Sequence, residues 1–273
     1  MTVPHSWMLC YVREKEELRQ QEKILRFFQK LAKHNCYVAS TQEVGTTAVW
    51  RRFATGVLIE DDPDDIAEGN PNDEAAFASV LQPGVSEQVQ QEIRVYAAEL
   101  QESLTVEARL MARSKLLRGF EFTVTLAPGD GALLLSVNHE RFFRRGQAGI
   151  MKFRYWVKLL QEIYVYWHPL FMHEFTHQGA PSANPTWEEV SALDIPELYP
   201  LNLFSPELVK KLGQERLAQA PAWMMETLDD EGVLLIPSDI YGFTPEKSFS
   251  FETVAQHLGF SMQERAETAR DQS

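Results

Sequence analysis

Five consecutive residues in the middle of the chain have the types and spacing of a zinc hydrolase: His173-Glu174-Phe175-Thr176-His177. On a helix, residues four apart share a face. Two imidazoles placed there can hold zinc, and the intervening Glu174 can act as base on a metal-bound water. In that reading His173 and His177 are metal ligands, Glu174 is the catalytic base and zinc is the cofactor. Pro169 lies four residues before His173, and Gly179 and Pro181 close the segment. At most about two and a half helical turns fit between them. A third ligand is also required. Glu188, Glu189 and Asp194 are available downstream, yet Asn184-Pro185-Thr186-Trp187-Glu188-Glu189 reads first as a capped helix start. A strand is the alternative. It would set Phe171, His173, Phe175 and His177 on one face and Leu170, Met172, Glu174 and Thr176 on the other. That places the histidines in an aromatic layer at a sheet edge, with no metal and no catalysis.

Other chemistry is thinly represented. Ser182 and Ser205 have no nucleophile-elbow setting, and neither the Rossmann nor the Walker glycine pattern occurs. Phe142-Phe143-Arg144-Arg145, followed by Lys152, Arg154 and Lys158, is a basic stretch that reads as a solvated helix face or an anion patch. Tyr155, Trp156, Tyr164, Tyr166 and Trp167 supply core area, and such side chains also suit a protein interface.

The elements that must position these residues give an α+β fold. Trp7–Val12 reads as a strand. Glu14–His34 is patterned as a helix through Leu18, Ile24, Leu25, Phe28 and Leu31, and Cys36–Ala39 reads as a second strand. The opening is therefore βαβ-like. Thr46–Ile59 holds one or two strands, and Glu60–Asp73 is an acidic turn-rich loop. Ser86–Ser114 is free of Gly and Pro and reads as a helix capped by Ser86. Gly119–Ala127 and Ala132–Val137 form a hairpin across Pro128-Gly129-Asp130-Gly131. Phe142–Trp167 is a helix, with breaks expected near Gly146 and Gly149. Pro206–Gly213 is a helix with Pro at its start and Gly at its end. Trp223–Leu228 and Gly232–Pro237 form a second hairpin, and Ser250–Leu258 is a closing helix. Mixed hairpins with helices predict a mixed or antiparallel sheet packed with helices, not a doubly wound one. A boundary near residue 115 separates residues 1–115 from 116–273, unless the two form one continuous domain.

Composition narrows the partners. Of 273 residues, 26 are Lys or Arg and 39 are Asp or Glu, giving a formal net charge of -13. Such a surface repels phosphate backbones and argues against nucleic acid. Cys10 and Cys36 sit in apolar stretches and read as buried hydrophobes. No signal-peptide pattern and no run of about 18 apolar residues is visible, so a cytoplasmic protein without a membrane span is expected.

The C-terminal third has a distinctive order. Leu201–Gly213 (LNLFSPELVKKLG) is followed by Gln214-Glu215-Arg216-Leu217, Ala220-Pro221-Ala222, and a hairpin containing Gly232-Val233; Phe251–Leu258 ends it. This order resembles the type VI immunity family of bacteria and related polymorphic-toxin immunity proteins, over roughly residues 119–260. The family's Gly before Pro-Glu-Leu is Ser205 here, and the His173–His177 segment has no counterpart in it. The resemblance implies a non-catalytic protein, without cofactor, that neutralises a cognate toxin effector by binding it. The acidic balance would suit a basic toxin. The surfaces it brings forward are the loop with Asp61, Asp62, Asp64 and Asp65, and the turn Asp229-Asp230-Glu231.

Overall fold

Among the described residues, alternating apolar residues build eleven strands, and all the pairings set out below are antiparallel. The computed structural model describes residues 5–32, 36–44, 47–54, 57–60, 87, 90–91, 94, 104–110, 120–138, 147–176, 184–239 and 250–260. In chain order the strands are β1 (His5–Tyr11), β2 (Cys36–Val44), β3 (Thr47–Ala54), β4 (Val57–Glu60), β5 (Leu104–Leu110), β6 (Phe120–Ala127), β7 (Ala132–Asn138), β8 (Phe171–Thr176), β9 (Asn202–Phe204), β10 (Met224–Thr227) and β11 (Val233–Ile236). The helices with described bounds are α1 (Gln21–Ala32), α2 (Gln147–Trp167), α3 (Trp187–Ser191), α4 (Pro206–Leu212), α5 (Gln214–Ala218) and α6 (Phe251–Leu258). The fold is α+β, as expected.

Two compact units divide the chain: Met1–Lys15 with Asp130–Ser273, and Glu16–Gly129. In the second, the strands run in the order β6-β5-β2-β3-β4. The helix expected from Glu14 splits there into a 3-10 turn over Lys15–Arg19 and α1. Leu18 is buried from the 3-10 turn, and Ile24, Leu25, Phe27, Phe28 and Leu31 are buried from α1. The helix expected over Ser86–Ser114 is also corrected. Glu87, Gln90, Gln91 and Arg94 are helical, but Leu104–Leu110 is strand β5. Leu104, Val106, Ala108 and Leu110 alternate there, a period-two signal hidden at the end of a stretch without Gly or Pro.

In the other unit the order is β10-β11-β9-β8-β1-β7. The βαβ-like opening is thus overturned: β1 pairs with β7 and β8, while β2 pairs with β3 and β5. Both faces of the middle strands are covered. Every residue of β9 and β11 is buried, as are Phe171–Glu174 of β8. On one face Tyr11, Phe171, Phe204, Val233 and Leu235 join Leu208, Val209, Leu217, Val254 and Leu258 from α4, α5 and α6 in one core cluster. Each such side chain, fully buried, contributes about 1.5–3 kcal/mol. Helix α2 buries Phe153, Trp156, Leu160, Tyr164 and Trp167, and leaves Arg154 and Lys158 exposed as a solvated face. It runs unbroken through Gly149, against expectation; Gly146 lies outside the described residues. It stops where His168 turns to φ 45°, its N–H still donating to Tyr164 O at 2.8 Å, and Pro169 forbids continuation.

Candidate functional site

The histidine segment is a strand, and its neighbours follow from the register. β8 lies between β1 and β9, with His173 opposite Leu9 on one side and Asn202 on the other. It is therefore interior to its sheet rather than at the expected edge. His173 is fully buried in an aromatic layer. Its ring centroid lies 3.7 Å from that of Tyr199, 5.1 Å from Phe171 and 5.9 Å from Tyr11. Burial pulls its pKa down to about 3, so the imidazole is neutral near pH 7.

This geometry corrects the zinc-helix arrangement. Adjacent strand residues point to opposite faces, so His173 and Glu174 lie on opposite sides of the sheet. His177 itself lies outside the described residues. Among the described residues no group of three His, Cys, Asp or Glu side chains is placed to hold a metal ion. Two of the three carboxylates considered as a third ligand have other partners. Glu189 completes a capping box with Thr186 at the start of α3, and Glu188 meets Lys15 Nζ at 2.9 Å. Cys10 is buried, which pushes its thiol pKa up. The side chain of Cys36 is not among those described.

The acidic hairpin meets solvent with a strand at one end of the strand order. β10 ends the strand order, and its residues Met225, Glu226 and Thr227 are exposed. The turn closes through Leu228 N–H to Gly232 O at 2.8 Å and Glu231 N–H to Leu228 O at 3.0 Å, with Glu231 at φ 70°. Of its three acids, Asp230 is tied down. Its Oδ1 accepts from Gly232 N–H at 3.0 Å and its Oδ2 accepts from Tyr164 O–H at 3.0 Å. Burial, then the Asp230 charge, raises the Tyr164 pKa. Gly232 has no room for a side chain, because a Cβ would fall 2.3 Å from Tyr164 Oη and 2.8 Å from Phe204 O. Asp229 and Glu231 are exposed. Asp61, Asp62, Asp64 and Asp65 of the other acidic loop lie outside the described residues.

Three anchors lie around this hairpin. Arg13 donates from Nη1 and Nη2 to the Glu207 carboxylate and from Nε to His168 O at 2.9 Å. That contact pulls the Glu207 pKa down to about 2. An open groove of about 420 Å³ runs beside it, lined by Pro206, Glu207, Val209, Lys210, Gln214 and Glu231. Asn202 is buried, accepts from Tyr199 N–H at 3.0 Å and donates to Tyr199 O at 2.6 Å. Ser205, the departure from the family pattern, caps α4 by accepting from Leu208 N–H at 3.4 Å. Arg13–Glu207 is a long-range pairing, whereas Asn202–Tyr199 and Ser205–Leu208 are each three residues apart, and of these the Ser-Pro-Glu helix start carries a recognisable local signal.

No family model matches this chain, and no curated protein does either. Among solved structures, a Pseudomonas aeruginosa T6SS protein aligns with 94% of this chain and 77% of its own, at 12% identity and a TM-score of 0.40.

Proposed function

We propose that this chain is a non-catalytic immunity-type protein that binds and neutralises a cognate, basic toxin effector in the cytoplasm. One observation carries the reading: an exposed hairpin of uniform negative charge, held in shape by the hydrogen bonds of Asp230 to Tyr164 and Gly232, at the end of a sheet. From Leu217 to Glu246 the chain has six acidic residues and no Lys or Arg. Asp230 and Tyr164 hold the turn, so Glu226, Asp229 and Glu231 are presented on a supported element. The overall charge of -13 would speed the approach of a basic partner at low salt. The C-terminal order of elements that resembles the immunity family supports the same reading, since this hairpin belongs to it.

Co-expression with the toxin encoded beside this gene tests the proposal. Restored growth and a tight complex on pull-down are expected. The purified protein is also expected to carry no stoichiometric zinc, because His173 is enclosed by aromatic rings and faces away from Glu174. Failure to rescue growth from any neighbouring toxin, or zinc-dependent hydrolysis lost in His173→Ala, would overturn the reading.

A further inference from the structure

We propose that β10 receives an extended basic segment of a protein partner as an added strand, beyond the edge of the β10–β11 hairpin. The inference deepens the immunity reading and rests on it for the identity of the partner. An edge strand leaves alternate N–H and C=O groups without a sheet partner, which an incoming strand can satisfy. Among the described residues nothing pairs with the outer side of β10. Proteins guard such edges with very short strands, charged side chains, Pro or a bulge. β10 reads Met224-Met225-Glu226-Thr227, without Lys or Pro, and its one charge, Glu226, repels an acidic strand and admits a basic one.

Charge selects the occupant. Trp223–Pro237 holds Glu226, Asp229, Asp230 and Glu231 and no basic residue. A second copy docked edge to edge would bring these acids against their own kind, which disfavours self-pairing. A basic strand would meet opposite charge along the same line. The pleat sets its pattern further. Met225 lies opposite Leu235 and Glu226 opposite Leu234, so the two point to opposite faces. Met225, 38% exposed, offers a deformable apolar contact on one face, while Glu226 offers a carboxylate on the other. The fitting segment therefore alternates Lys or Arg with small apolar residues.

The test uses the full chain and two probes. The first is the neighbouring toxin, in growth rescue and binding, with Glu226→Lys and Met225→Pro beside the wild type. The second is a decapeptide alternating Lys and Val, with a Glu–Val decapeptide as control, read by amide hydrogen exchange across β10. At least tenfold weaker toxin binding by Glu226→Lys, with an unchanged thermal melt, is expected. Protection of β10 amides by the Lys–Val peptide alone is expected too. Wild-type rescue with both variants binding within twofold would overturn the edge inference and leave the immunity reading standing. Failure of the wild type to bind any neighbouring toxin would overturn the immunity reading. The peptide arm then decides the edge, and no selective protection of β10 overturns it. Met225→Pro is read only if its melt matches the wild type; Glu226→Lys keeps the test decisive otherwise.

Discussion

Arg13 and Glu207 are 194 positions apart in the chain and are joined by two parallel hydrogen bonds, of 2.7 and 2.9 Å. The same guanidinium donates to His168 O at the end of α2. One side chain thus ties the exit of β1, the end of α2 and the first turn of α4. Lys lacks the planar fork, so Arg13→Lys is expected to lose most of this, and Arg13→Ala all of it. Both partners are more than a third exposed, which limits the cost to about 1 kcal/mol. Urea unfolding at neutral pH checks both variants.

The same pair sets an acid limit. Glu207 has its folded pKa pulled down to about 2 from 4.5, mainly by the Arg13 hydrogen bonds. Its contribution is present above pH 4.5 and is lost as pH falls towards 2. Wild type should therefore lose stability relative to Glu207→Gln across that window and not above it. Chemical-shift titration of the Glu207 carboxyl should give a midpoint well below 4; a midpoint near 4.5 would remove the basis for the prediction.

His173 works through the opposite charge but in the same direction. Its folded pKa is about 3 against an ordinary 6.5, because burial disfavours the imidazolium. Below pH 6.5 the unfolded chain binds a proton that the folded chain refuses, so stability falls as pH drops from 6.5 towards 3. The slope approaches about 1.4 kcal/mol per pH unit within that window. His173→Phe, which keeps a ring among Tyr199, Phe171 and Tyr11, should lack this slope. Denaturation midpoints at pH 7 and pH 4 compare the two, and the ring carbons of His173 should remain those of a neutral imidazole at pH 5.

How much of this was legible differs by range. The Trp223–Pro237 hairpin, strand β7, the α4 helix start and the α+β class follow from local patterns such as Ser205-Pro206 and the alternation over Ala132–Val137. The segment from His173 to His177 was not decidable, because a short apolar run with polar residues at both periods satisfies helix and strand alike. The choice is made by β1 and β9, which β8 joins through Leu9 and Asn202. The strand β5 carries a period-two signal in Leu104, Val106, Ala108 and Leu110, but it sits at the end of a stretch without Gly or Pro to mark a break. The Arg13–Glu207 pair and the Tyr164–Asp230 bond, 66 positions apart, leave no local trace at all.

The turn of the acidic hairpin offers a pair of opposed substitutions. Glu231 holds φ 70°, where an L side chain costs about 1 kcal/mol and glycine costs nothing comparable. Glu231→Gly should raise stability by about that amount. One position on, Gly232→Ala should lower it by about 1–3 kcal/mol, since the new methyl meets Tyr164 Oη and the Phe204 carbonyl. Thermal melts of the two variants should move in opposite directions; equal shifts would show that the turn does not have this geometry in solution.

Tyr164→Phe separates the shape of the hairpin from its charge. The substitution keeps the ring that α2 buries and removes only the hydroxyl that donates to Asp230 Oδ2 at 3.0 Å. The net loss should be about 0.5–1.5 kcal/mol, the usual worth of one such bond. No charge changes, so long-range steering of a basic partner is untouched. Asp230 keeps its bond to Gly232 N–H but loses its tether to the helix, and amide exchange over Asp229–Gly232 should quicken. If a partner reads the hairpin as a supported acidic edge, its dissociation should speed while its association rate and salt dependence stay those of wild type. Glu226→Gln should do the reverse in part, slowing association at low salt. Surface-binding kinetics at two salt concentrations distinguish them, and identical effects of the two variants on both rates would mean that shape and charge are not separately read.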